Sequence, residues 1–205
     1  MKCKICEKDF SRTLKGMCIT CYIDNYLPSK TKNMWWIRVP NAAKKYVKKR
    51  GFDKELASII TSQKIHVMDK DKNAMIIPVK DKMLSVPLTL ESIDNLAEKA
   101  GILVGKWLIY RSKLEIDSVW KVVAEATWNG QLGKSAKVST LKHKKSQFVV
   151  CVYTPSYLDF EDVKRVRDDL RVLGFNKKLC YKPDIYTYLG IYYKTTPLSS
   201  CRYRM

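Results

Sequence analysis

Apolar positions recur at helical spacing over Val119, Trp120, Val123, Ala124 and Thr127, and run unbroken over Phe148–Thr154. The first pattern predicts a helix opening at Asp117 with one buried face. The second predicts a strand covered on both sides, and so central in its sheet. Shorter apolar runs predict strands at Trp35–Val39, Ile65–Met68, Ala74–Val79, Lys106–Tyr110, Ala136–Thr140, Leu179–Tyr181 and Ile185–Tyr193. The turn Asp69–Asn73 would join the second and third of these. Between the strands, cap residues mark helices. Asn41 would open one through Arg50, stopped by Gly51, and Asp53 another through Ile60. Thr89 would open one closed by Gly101, and Asp159 one over Asp162–Leu173 closed by Gly174.

These elements define an α+β chain in three segments. Residues 1–29 form a finger, residues 33–88 a small β-α-α-β-β domain, and residues 89–205 a larger α+β domain with helices on one face of an antiparallel or mixed sheet. Within the last domain, Tyr186 and Tyr188 would share a strand face. The finger is too short for a core of its own. It does carry Cys3, Cys6, Cys18 and Cys21, two C-x-x-C pairs with eleven residues between them. Two such pairs direct four thiolates at one point, the donor set of a structural zinc site. Cys151, Cys180 and Cys201 read as buried or tail thiols.

Charge changes the picture. Thirty-nine Lys and Arg face 20 Asp and Glu, a formal net charge of +19. Net charge is +3 over residues 1–30, +6 over 31–101 and +10 over 102–205, so the excess belongs to folded surface rather than one tail. Such a surface meets nucleic acid first, because each phosphate it neutralises releases counterions. No apolar run reaches the length of a membrane span, and no apolar stretch follows the N-terminal Met-Lys-Cys-Lys-Ile-Cys. The cytoplasm, where thiols stay reduced, is the expected location.

Two basic clusters stand out as phosphate contacts: Lys44, Lys45, Lys48, Lys49 and Arg50 in one, and Lys142, Lys144 and Lys145 around His143 in the other. A second candidate set, an anion and base pocket, comprises Lys106, Lys134, Lys137, Tyr153, Lys182, Tyr186 and Tyr188 near strand ends and the turn at Asp184. Gly133-Lys134-Ser135 is not a nucleotide loop, since Trp128 stands where the first glycine is required. Trp120 lies on the apolar helix face and reads as core.

Several segments resemble known families. Lys15-Gly16-Met17-Cys18-Ile19-Thr20-Cys21 resembles a treble-clef or zinc-ribbon finger, whose second knuckle opens a helix. Trp36-Ile37-Arg38-Val39-Pro40, the run Lys49–Lys54 and Ile76-Ile77-Pro78-Val79 are similar to the small tRNA-contacting N-terminal domain of tRNA anticodon-loop guanine methyltransferases. The cofactor domain of those enzymes has no counterpart here. Residues Gly105–Tyr110, Asp117 with Trp120, Gly130-x-Leu132-Gly133, Ala136–Thr140, Val150–Thr154 and Tyr181–Tyr192 resemble the basophilic-leukaemia-expressed-protein domain. That resemblance implies the fold of the cap-binding translation initiation factor. The domain has also been labelled a phosphothreonine lyase.

Two functions follow as expectations. One is a zinc-containing protein that binds structured RNA, either tRNA or ribosomal RNA on the ribosome, by phosphate contacts and aromatic stacking. The alternative is a lyase on phosphorylated protein, with Lys137 as base and Tyr153 or Lys106 assisting. The lyase family uses a histidine, and neither His66 nor His143 stands at a matching motif.

Overall fold

A computed structural model describes residues 1–46, 51–62, 67–68, 73–80, 82–144, 146–192 and 195–205. In chain order its elements are α1 (Ile19–Asn25), β1 (Trp36–Pro40), α2 (Lys54–Thr61), β2 (Val67–Met68), β3 (Ala74–Val79), β4 (Lys82–Pro87) and α3 (Leu90–Ala100). There follow β5 (Gly105–Arg111), α4 (Ile116–Trp128), β6 (Ser135–Ser139), a 3-10 turn at Leu141–His143, β7 (Phe148–Thr154), α5 (Phe160–Val172), β8 (Cys180–Pro183), α6 (Asp184–Tyr188) and β9 (Tyr203–Arg204). The chain is α+β, with antiparallel sheet and helices.

The elements gather into two compact units. The first holds residues 1–46, 107–154 and 164–179. Its strands run in the order β1-β6-β7-β5, so the apolar β7 is interior as its composition requires. β1 pairs antiparallel with β6, Ile37 opposite Val138 and Val39 opposite Ala136, and β6 pairs antiparallel with β7. Alternation then puts Ile37, Val39, Ala136, Val138, Val150 and Val152 on one face, each 0–1% exposed. α4 packs on β1, β6 and β7 and contributes Trp120, Val123 and Ala124, all fully buried. Trp120 is core, as its place on the apolar helix face indicated.

The N-terminal segment is tied to this sheet and helix. Tyr22 donates its hydroxyl to the Arg38 carbonyl at 3.1 Å. The Ser29 amide donates to Asp117 Oδ1 at 2.9 Å, and its hydroxyl donates to the same carboxylate. Asp117, expected to open a helix, therefore anchors the finger instead, and α4 starts at Ile116 without a side-chain cap. Gly133 has a steric role: a Cβ there would collide with the Tyr153 carbonyl oxygen, where β7 passes against the backbone.

The second unit holds residues 47–106, 155–163 and 180–205. β2, β3 and β4 form an antiparallel sheet in that order, and β8 pairs antiparallel with β9. α3 is capped as expected: Thr89 accepts from the Ser92 amide at 3.2 Å, and Gly101 closes it at φ +67°.

Three expectations need correction, and one strand was not expected. Residues 41–46 are not helical; Asn41 Oδ1 accepts the amides of Ala43 and Lys44 at 3.0 and 2.9 Å, closing a turn. The same side-chain chemistry serves caps and turns, so the residue type alone does not choose. The rest of that expected helix, and the turn Asp69–Lys72, lie outside the described residues. Residues 184–188 form α6 rather than a strand, so Tyr186 and Tyr188 do not share a sheet face. β4, a mostly exposed strand, has no apolar alternation to announce it. Finally, Cys180 and Cys201 are joined in a disulfide rather than standing as thiols. No described helix is long and apolar enough to cross a membrane.

Candidate functional site

Cys3, Cys6, Cys18 and Cys21 converge as their spacing requires, with all four sulfurs within 4.8 Å of one another. A tetrahedral ion with Zn–S bonds of about 2.3 Å needs sulfurs about 3.8 Å apart, so the quartet can hold a metal ion with little adjustment. Local structure builds it. Two-residue bridges, Lys2 with Asp9 and Leu14 with Met17, turn the chain twice, and Cys18 sits at the start of α1. The Cys18 amide points at the Cys3 sulfur from 3.2 Å, and the Cys21 amide at the Cys18 sulfur from 3.5 Å. Burial pushes the Cys3 thiol up, but the amides of Cys6, Cys18 and Ile5 outweigh it and hold the group down to about 6. Cys21 is pushed up to about 12, first by the adjoining Cys18 thiol and then by burial. Four thiolates at one point repel one another, and a dication is the group that neutralises them.

The other face of the β1-β6-β7-β5 sheet carries a ladder of cations and rings. Lys142 Nζ lies 4.9 Å from the Trp35 ring centre. Trp35 meets His143 edge-on at 5.0 Å, and His143 meets Trp36 edge-on at 4.8 Å. Lys137 Nζ lies over Trp36 at 4.1 Å and over Tyr153 at 5.4 Å. Ring faces hold ammonium groups as cations. Beside the ladder opens a groove of about 430 Å³ lined by Trp36, Tyr110, Ser139, His143, Ser146, Gln147 and Val149. Tyr110 and Trp35 are each 52% exposed.

The second unit carries a compact ionic cluster. Lys106 and Lys182 are 8% and 6% exposed. Lys106 pairs with Asp184 and donates to the Thr187 hydroxyl at 3.2 Å. Lys182 donates to the Ile191 carbonyl at 2.7 Å under the Tyr192 ring, 3.7 Å away. Burial, then the Lys106 charge, hold Lys182 down to about 8, with Asp184 partly offsetting them. Nearby in the same unit, Arg202 pairs with Asp94 at 2.7 Å, and Asp94 accepts the Tyr157 hydroxyl at 2.8 Å. Tyr157 is pushed well up, by burial first and then by that bond.

The state of Lys182 has a measurable consequence. Its folded pKa lies below its unfolded one, so between about pH 8 and about pH 10.5 the unfolded chain keeps a proton that the folded chain releases, and stability rises with pH across that window. Thermal melts should show the Lys182→Met variant lacking this part of the rise. An identical pH slope in both proteins would contradict the buried cation.

The residues singled out from sequence fall into distinct places. Lys137, Tyr153 and Lys134 lie in the first unit, with Lys134 donating its amide to the Tyr153 carbonyl at 2.8 Å. Lys106, Lys182, Tyr186 and Tyr188 lie in the second unit. Tyr186 is fully buried in α6, so its ring is packed rather than presented. Lys44, Lys45 and Lys144 are exposed and Lys142 half-buried, while Lys48, Lys49, Arg50 and Lys145 lie outside the described residues. Sequence reasoning did not single out Trp35, Trp36 or Tyr110, which stand in the ladder and the groove. The readable signal was a pair of adjacent tryptophans beside an arginine on an alternating strand.

Comparison with known families finds that residues 19–190 match the family described as basophilic leukemia-expressed protein Bles03. The match takes in β1 and α1, well upstream of the segments that carried the resemblance. It begins after Cys18, so three of the four clustered cysteines precede it.

Proposed function

This chain belongs to the basophilic leukemia-expressed protein Bles03 family, and on that premise we propose that it is a zinc-holding, RNA-binding protein. Its partner is structured RNA, tRNA or the RNA of the ribosome, met in the cytoplasm. One observation supports this reading above the others. Residues 126–158 contain no Asp or Glu and five lysines, and the stretch includes β6, the 3-10 turn and β7. A sheet surface and turn with no carboxylate is suited to phosphate. Zinc would be held by Cys3, Cys6, Cys18 and Cys21 and would fix the N-terminal turns. The lyase alternative draws less support, because neither His66 nor His143 stands at a motif of the histidine-dependent lyases.

The test is tRNA binding followed by fluorescence anisotropy. With about five phosphate contacts, affinity should fall roughly a hundredfold or more between about 50 and about 200 mM salt. Replacing Lys142 and Lys144 together by Glu should weaken binding at every salt concentration and flatten that slope by about one to two. If the purified protein retains no RNA at low salt, the reading fails.

A further inference from the structure

The face of the β1-β6-β7-β5 sheet opposite α4, buried at Cys151 and Tyr153 but exposed at Arg38 and Tyr110, has a composition that phosphate contact alone does not require. None of the four strands contains an Asp or Glu. Trp36 is paired opposite Ser139, Arg38 opposite Lys137, and Ser135 opposite Tyr153, so large rings and cations share this face while the aliphatic residues face α4. Trp35 and Tyr110 keep about half their surface in water although both could have been small and polar. Rings left exposed beside an open groove are sites of contact rather than of packing. The ladder from Lys142 through Trp35, His143 and Trp36 to Lys137 fixes the rings in place, so little rotamer freedom remains to be lost on binding.

Two occupants suit a ring-lined, positively charged groove: a protein segment with acidic and apolar side chains, or an unstacked nucleobase with its phosphates. The groove favours the second. Trp36, Tyr110 and His143 line it with rings, and Ser139, Ser146 and Gln147 line it with polar groups. A base offers a flat face to the rings and a polar edge to those groups. Arg38 and Lys137, paired across β1 and β6, and Lys142, over Trp35, supply positive charge for its phosphates. Paired RNA cannot enter, because its bases are stacked on one another and expose no face.

We propose that the groove on this face, centred on Trp36, Tyr110 and His143, takes about two or three unstacked bases of single-stranded RNA, as aromatic residues do on the sheets of single-strand-binding modules. The proposal rests on the RNA reading above and locates it. Because stacking uses the π-face that every base has, binding should be tolerant of sequence.

The experiment compares an octameric oligouridine, an octameric oligoadenosine and a twelve-base-pair RNA duplex, read by anisotropy and by quenching of tryptophan emission at low salt. Both single strands should bind and quench. Tyr110→Ala and Trp35→Ala, at exposed positions where folding is least disturbed, should each weaken single-strand binding roughly five- to a hundredfold and leave duplex binding unchanged. Circular dichroism and melting of each variant show that it is folded. Binding of RNA with no preference for single strands, or with no effect of either ring, overturns this proposal and leaves the RNA reading standing. Binding of none of the three probes overturns both. Quenching by an acidic peptide but not by RNA would assign the face to a protein partner.

Discussion

Cys18→Ser is expected to strip the protein of bound zinc and to unfold its N-terminal turns. The wild type should carry one equivalent of metal by elemental analysis, and the variant close to none. Cys18 is buried, caps α1 and receives the Cys21 amide, so its loss removes a ligand and a cap together. Residues 1–35 hold only a few buried apolar groups, chiefly Met17, Tyr22 and Ile23. Metal in sites of this kind supplies on the order of 10 kcal/mol of folding free energy, and no packing available to this segment replaces it. Amide exchange should therefore become fast through residue 25 and slow again in β6 and β7. A strong chelator should reproduce the effect in the wild type, and falling pH should promote it as the thiolates regain protons. Retention of a full equivalent of metal by the variant would remove Cys18 from the site.

Arg167→Ala is expected to cost about 3–5 kcal/mol of stability, a loss comparable to that of a large core residue. Arg167 is fully buried in α5, with its guanidinium donating to the Phe175 carbonyl at 2.9 Å and the Lys177 carbonyl at 2.8 Å. Burial, followed by the charge of Arg171, lowers its pKa. The planar fork closes the turn after the helix by bridging two carbonyls at once, and it lies 5.9 Å from the Trp107 ring centre. Alanine leaves a cavity and two carbonyls without that donor. Methionine fills most of the space but not the hydrogen bonds, so Arg167→Met should recover part of the loss. Lysine cannot span both carbonyls and should also fall short. Denaturant midpoints order the three variants; equal stability of Arg167→Ala and the wild type would contradict the bridging role.

What could be read from sequence was whatever is encoded locally. The cysteine quartet follows from spacing within 21 residues. α3 follows from Thr89 and Gly101 at its ends, and the interior place of β7 from its unbroken apolar run. Non-local features were hidden. β1 pairs with β6 about a hundred residues away, and only that pairing brings Trp35 and Trp36 to His143 and Lys137. The Cys180–Cys201 bridge was equally silent, because spacing alone does not state a partner. α6 was misread for a different reason: Ile185, Tyr186 and Tyr188 have high strand propensity, but after Pro183 the chain turns, and the tertiary environment buries Ile185 and Tyr186 in a short helix. Arg167 was overlooked because an arginine on a charged helix reads as a solvated side chain.

Ultraviolet crosslinking in cells, followed by mass spectrometry of the adducts, tests the RNA reading most directly. The account predicts nucleotide adducts on peptides spanning Trp35–Arg38, Leu108–Arg111 and the turn at Lys142–Lys144, with the attached RNA recoverable as tRNA or ribosomal sequence. A protein recovered free of any RNA adduct, under conditions in which known RNA-binding proteins crosslink, would contradict it.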